Sequence, residues 1–163
     1  MKTYYIMISR HFLASYPKAG RETHFAQSIA EGSKIHTIRG SYENWKRKID
    51  EVNEGKAILS LRQWTGSPYN RLCDGSTQVE LTQLKAGECG LQALEWKKLD
   101  NPPTVLLPHI LNESAAVIDG RAFLHINRLA TNDGLSEQDF RDWFKGYKLN
   151  EPMAIIHFSN FKY

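Results

Sequence analysis

Cysteine is nearly absent from this chain of 163 residues; only Cys73 and Cys89 occur. They form no Cys-x-x-Cys pair, which speaks against a disulfide framework and a thiolate zinc site and suits a reducing compartment. The six histidines are scattered with no His-x-x-x-His pair, so neither a metal nor a cofactor is expected. Long apolar runs are missing too. The stretch Met1–Ile8 is apolar only briefly before Arg10 and His11, too short for a signal-peptide core or a spanning helix. It reads as a first strand in a soluble, cytoplasmic protein with no membrane contact. A large charge excess is also lacking. The net charge of +3 permits contact with nucleic acid without demanding it, because a dedicated duplex binder usually carries a larger basic excess.

What is present can build a core. Hydrophobic residues make up 41% and charged residues 24%, which suits one ordered domain over 1–163. Strand patterns dominate: Thr3–Ser9, Ile35–Arg39, Lys56–Trp64, Gln78–Leu84, Gly90–Trp96, Thr104–Leu107 and Met153–Phe158. Three helices are predicted. Thr23–Glu31 has Thr23 as its cap and Gly32 as its stop; Ser41–Asn53 presents Tyr42, Trp45, Ile49 and Val52 on one face. Ser136–Lys145 starts on a capping-box pattern, Ser136 with Asp139, and carries the stripe Phe140, Trp143, Phe144 and Tyr147. A weaker helical turn covers His125–Ala130. Short strands with few helices predict an α+β fold around a small, curved, mostly antiparallel sheet.

The densest chemistry lies in Gly32-Ser33-Lys34-Ile35-His36-Thr37-Ile38-Arg39, where an amine, an imidazole, a hydroxyl and a guanidinium fall within six positions. Such a segment either handles an anionic or heteroaromatic ligand or is an edge strand facing water. Lys34 could hold a phosphate or a base carbonyl, or act as a base once desolvated; otherwise it is a solvated lysine in a turn. Side chains alternate along a strand, so Lys34 and Thr37 share a site only if Lys34 precedes the strand. Thr37 offers a hydroxyl as nucleophile, as hydrogen-bond partner, or as a plain β-branched residue. Arg39 shares a face with Thr37 and suits a phosphate, a base edge or a structural ion pair. His36 points either to the core or to solvent. Tyr42–Lys48 interleaves aromatics with cations, as stacking on unpaired bases would need, although its helical spacing also suits packing. Arg62, Trp64 and Tyr69 could line the same cleft, with Trp64 a core residue in the alternative. Asp133 lies in the turn Asn132-Asp133-Gly134 and could simply organise a helix start.

Taken in order, these pieces resemble the ASCH domain, a branch of the PUA-like superfamily. The resemblance is carried by the helix His24–Gly32, by Lys34–Arg39, by the strand Lys56–Arg62, by Leu129–Ser136, by the amphipathic helix after it and by the closing strand Met153–Phe158. It spans roughly Phe25 to Phe158, with apparent insertions near 41–53 and 102–120. It implies a β-barrel with flanking helices that line a cleft, and binding of RNA, a nucleotide or a modified nucleobase. One branch of the family hydrolyses N4-acetylcytidine with a Lys–Thr–Glu set, and another bacterial member is associated with RNA cleavage. By resemblance the set falls on Lys34, Thr37 and Asp133. This chain has Asp where the hydrolase branch has Glu, and a carboxylate misplaced by about 1 Å can cost ~100-fold in rate. Four functions follow: a binding module for RNA, a nucleoside or a nucleotide; an amidohydrolase of N4-acylated cytidine-type nucleosides; a metal-independent ribonuclease; and a protein-interaction domain.

Overall fold

The computed structural model describes residues 1–66, 75–101, 110–111 and 113–163. The expected strand Thr104–Leu107 and the candidate Tyr69 lie outside these residues.

Two sheets organise the chain. The first contains β1 (Lys2–Met7), β3 (Ala57–Trp64) and β4 (Gln78–Leu84), in the order β1-β3-β4. β1 and β3 run parallel, from Lys2 opposite Ala57 to Met7 opposite Arg62, while β3 and β4 are antiparallel with a bulge between Leu61 and Arg62. The second sheet is antiparallel throughout. It contains β2 (His36–Arg39), β5 (Gly90–Lys98), β6 (Ile110–Leu111), β7 (Ser114–Ile118), β8 (Arg121–Ala122) and β9 (Met153–His157). Its order is β2-β9-β5-β7-β6, with β8 also on β7. The fold is therefore α+β with mostly antiparallel pairing. Among the described residues no strand pair joins the two sheets.

Among the described residues four helices pack against them: α1 (Phe25–Ala30), α2 (Tyr42–Asn53), α3 (Ile126–Asn132) and α4 (Glu137–Phe144). The N-cap of α1 is His24, in the left-handed region at φ 58°, rather than the expected Thr23. Thr23 still serves the helix start, because its hydroxyl accepts from the Phe25 amide at 3.3 Å while donating to the Ser9 carbonyl. On α4 the Ser136 hydroxyl accepts from the Asp139 amide at 3.1 Å. Asp139 pairs with Lys18 at 2.7 Å, so its carboxylate serves a tertiary contact as well as the acidic first turn. The stripe of α4 is graded: Phe140 and Phe144 are buried, Trp143 is partly buried, and Tyr147 lies past the helix end with 43% exposure.

The buried hydrophobic side chains, Trp64 and Val117 excepted, form one cluster among the described residues. β9 is central, paired on both sides, and Met153, Ala154, Ile155 and Ile156 are all buried. That explains a continuous apolar run where a half-exposed strand would alternate. Ile49 and Val52 of α2 reach the same cluster, so the segment read as an insertion at 41–53 contributes to the core. Each such Ile, Leu or Phe contributes roughly 1.5–3 kcal/mol by leaving water. No helix among the described residues is long and apolar enough to cross a membrane.

The two sheets approach each other where β1 meets β2. Arg39 crosses that seam and donates from Nη2 to the Met7 carbonyl at 2.5 Å. The seam, the turn before β2 and the α3–α4 corner enclose the cavity described next.

Candidate functional site

The turn that carries Lys34 is set by the end of α1. Gly32 adopts φ +76°, and the amides of Ser33 and Lys34 both donate to the Ser28 carbonyl, at 2.9 and 3.0 Å. Ile35 then bonds the Asn132 carbonyl through its amide and the Phe158 amide through its carbonyl, which anchors the start of β2. Lys34 thus precedes the strand, as the geometric condition for sharing a site with Thr37 required. Lys34, Thr37, Arg39 and Asp133 all line one cavity of about 80 Å³, together with Ile8 and Ser9 from the end of β1 and Trp143 and Tyr147 from α4 and beyond.

Lys34 is buried, and its ammonium donates to Asp133 Oδ1 at 2.6 Å and to the Asp133 main-chain carbonyl at 2.5 Å. Asp133 is the C-cap of α3, so Lys34 also satisfies a helix-end carbonyl. This differs from the expected role of Asp133 at a helix start, which Ser136 fills instead. The Phe25 ring lies beneath the ammonium, 4.2 Å from centroid to Nζ. Gly134, at φ +78°, makes this approach possible: a Cβ there would stand 3.2 Å from both Lys34 Cδ and Phe25 Cδ1.

Burial lowers the Lys34 pKa from its ordinary value. The Asp133 carboxylate opposes this, and the nearby Arg39 cation adds to it. Burial likewise raises Asp133, against the pull of Lys34 and Arg39. The cavity therefore gathers two cationic side chains around one carboxylate. Its surplus positive charge can be relieved by an incoming anion or by loss of the Lys34 proton. Arg39 is half-buried, and its Nε is enclosed without a partner, a shortfall that typically costs ~1–3 kcal/mol.

His36 lies behind the cavity, fully buried, with Nε2 2.7 Å from the Tyr163 hydroxyl. That hydroxyl also accepts from Asn132 Nδ2 at 2.9 Å, so it joins His36 to the end of α3. Nδ1 stands 3.8 Å from Asp133 Oδ1, too far for a hydrogen bond, and has no other partner. Burial, the Lys34 charge and His157 keep His36 neutral, well below the usual histidine range. It does not line the cavity, so its position gives no contact with a ligand there.

The other candidates lie elsewhere. Arg62 is on the first sheet, held by Ser60 at 3.1 Å and Glu80 at 3.7 Å, with its guanidinium over the Tyr5 ring. Trp64 is buried and lines a separate groove across Arg39. Tyr42 packs half-buried against the core at the start of α2, as Trp45 does. Sequence reasoning missed Phe25, Ser9, Trp143 and Tyr163. Only Gly134 carried a readable local signal, a glycine directly after the capping residue. Among the described residues no group of three or more His, Cys, Asp or Glu side chains is placed to hold a metal.

Comparison with known proteins finds no matching family model, no matching curated protein and no matching solved structure.

Proposed function

We propose that the Lys34 cavity binds a nucleotide-like ligand, a nucleobase or nucleotide presenting carbonyl or anionic oxygens. The observation that carries this is the convergence of Lys34, Arg39 and Asp133 on one recess with Thr37 in its wall. The cations suit phosphate or carbonyl oxygens, Asp133 suits an amino or imino donor, and the aromatic side chains of Trp143 and Tyr147 flank the opening. This reading agrees with the resemblance to ASCH domains. On it, the two sheets are the halves of a PUA-like barrel, with the seam bridged by Arg39 as its cleft, and the protein works in the cytoplasm. The test is a titration of nucleoside monophosphates and a short RNA at low and moderate salt. Binding should weaken with salt by a slope of about −0.7 per contacted phosphate on a single strand. Absence of binding at low salt would favour a protein-interaction domain.

A second reading is supported by one specific observation: burial and Arg39 both lower the Lys34 pKa, and Lys34 shares its cavity with Thr37. A neutral Lys34 could take a proton from Thr37 or from a water that adds to an acyl carbon. The C–N bond of an N-acylated cytidine then breaks and the freed exocyclic nitrogen takes up the proton from Lys34. On the water route the acyl group leaves as carboxylate; on the Thr37 route it forms an ester on Thr37 that a water hydrolyses to carboxylate and free hydroxyl.

A further inference from the structure

The Lys34 cavity is small for a whole nucleoside, since sites for small organic ligands commonly span roughly 300–1,000 Å³. It is not isolated. Two larger grooves border it, of about 390 and 450 Å³, and their linings share only Leu13. The first shares Ile8, Ser9, Leu13 and Arg39 with the cavity and continues to Phe12 and Trp64. The second shares Leu13, Trp143 and Tyr147 and continues to Tyr16, Pro17 and Lys145. Leu13 is the residue common to all three, and it is 48% exposed despite being apolar. A lone exposed leucine is ordinary. One at the fork of a polar recess and two aromatic-lined arms has a specific use.

We infer that the site takes an internal nucleotide of a single-stranded nucleic acid: the target base enters the Lys34 recess, its two neighbours lie in the two arms, and Leu13 wedges between stacked bases at the fork. The inference rests on the nucleotide reading above and adds the strand. A free nucleoside would leave both arms empty, and a terminal nucleotide would fill only one. The arms are lined by aromatic side chains, of which Phe12, Tyr16 and Trp64 are mostly covered, Trp143 is partly buried and Tyr147 is exposed, and by cations. These are the two kinds of group that take up bases and phosphates of a strand. In the first arm Arg10 and Arg39 accompany Trp64, together with His11. In the second, Lys145 lies beside the half-exposed Tyr147, with Asp142 as its one carboxylate. Apolar side chains inserted between bases are a common means of unstacking them, and a base already in a single strand costs least to extract.

The test compares a nucleoside monophosphate with homotrinucleotides of each base, and with dinucleotides extended on the 5′ or the 3′ side only. Binding is followed by Trp and Tyr fluorescence with the wild-type chain and with Leu13→Ala. Extension on each side should tighten binding separately, and the best trinucleotide should bind at least tenfold tighter than its monophosphate. Leu13→Ala should weaken the trinucleotide at least tenfold more than it weakens the monophosphate. If the monophosphate binds as tightly as every trinucleotide, or if Leu13→Ala affects both equally, the strand is wrong and the single-nucleotide reading stands. If no nucleotide binds at all, both fall.

Discussion

Lys34 and Asp133 are ninety-nine positions apart in sequence and form a buried pair at 2.6 Å, with the same ammonium also held by the Asp133 carbonyl. The contact ties the turn before β2 to the corner between α3 and α4, and it is the floor of the candidate site. A buried pair of this kind is weak evidence of stability by itself, because its desolvation offsets its attraction, yet breaking one side is costly.

Lys34→Met should therefore destabilise the protein by about 3–5 kcal/mol, since it leaves a buried carboxylate with Arg39 as its remaining cationic neighbour. Lys34→Met combined with Asp133→Asn should recover at least half of that loss. Urea unfolding of the three proteins checks this. A loss below about 1 kcal/mol for the single variant would mean that the pair is looser than its geometry shows.

Gly134→Ala should cost about 1–3 kcal/mol. The residue sits at φ +78°, and its new Cβ would crowd Lys34 and Phe25 at 3.2 Å. Gly120→Ala has the same φ with nothing within 4 Å, so it should be milder. Thermal unfolding of the two variants separates the backbone contribution from the contact. Equal losses would show that Gly134 is needed for its dihedral alone.

Stability should fall on mild acidification. His157 is buried, donates from Nε2 to Gln92 Oε1 at 3.0 Å, and has its pKa lowered from 6.5 to about 4, chiefly by burial. His36 is shifted in the same direction. The unfolded chain binds more protons than the folded one below pH 6.5, so stability is fully present above that pH and is lost as pH falls towards 4. At about 1.4 kcal/mol per pKa unit, His157 alone accounts for about 3 kcal/mol. Only about 2 kcal/mol of this is lost between pH 7 and pH 5, because the rest goes as the pH falls on to the folded value of about 4; denaturation midpoints should differ by that amount, and His157→Gln should reduce the difference. A flat profile would contradict neutral burial of both imidazoles.

Deacylation separates the enzyme from the binder. If the second reading holds, acetate release from N4-acetylcytidine should rise with pH through the lowered Lys34 pKa, and Asp133→Glu should preserve or increase it. Chromatography between about pH 6 and 9 reads this directly. No acetate from either protein would leave binding as the sole activity.

Much of the frame was legible from period and punctuation. The apolar run Met153–Ile156 declared a buried strand, and the Tyr42–Val52 spacing declared α2. Gly32 and Gly55 marked helix ends, and both adopt positive φ. The β1–β3 parallel pairing could not be read, because register across a long crossover is decided by tertiary packing rather than local pattern. At the site, Lys34, Thr37, Arg39 and Asp133 were readable and share a cavity. Arg62 and Trp64 were not separable from them by sequence, since a strand pattern gives the face of a residue but not the sheet it joins. Tyr163 left no signal at all. Its contact with His36 spans 127 positions, and nothing local distinguishes that tyrosine from the others.

The most direct measurement is calorimetric titration of a nucleoside monophosphate into wild-type protein and into Thr37→Val. That variant keeps the shape of a β-branched strand residue and replaces the hydroxyl of this cavity-lining residue with a methyl. A site that hydrogen-bonds its ligand through Thr37 predicts saturable, salt-weakened binding by the wild type and a loss of about tenfold for Thr37→Val, equivalent to ~1.4 kcal/mol. Unfolding curves for the two proteins should remain close. Equal affinity of both proteins, or no saturable binding by the wild type at low salt, would contradict the assignment of the Lys34 cavity as the binding site.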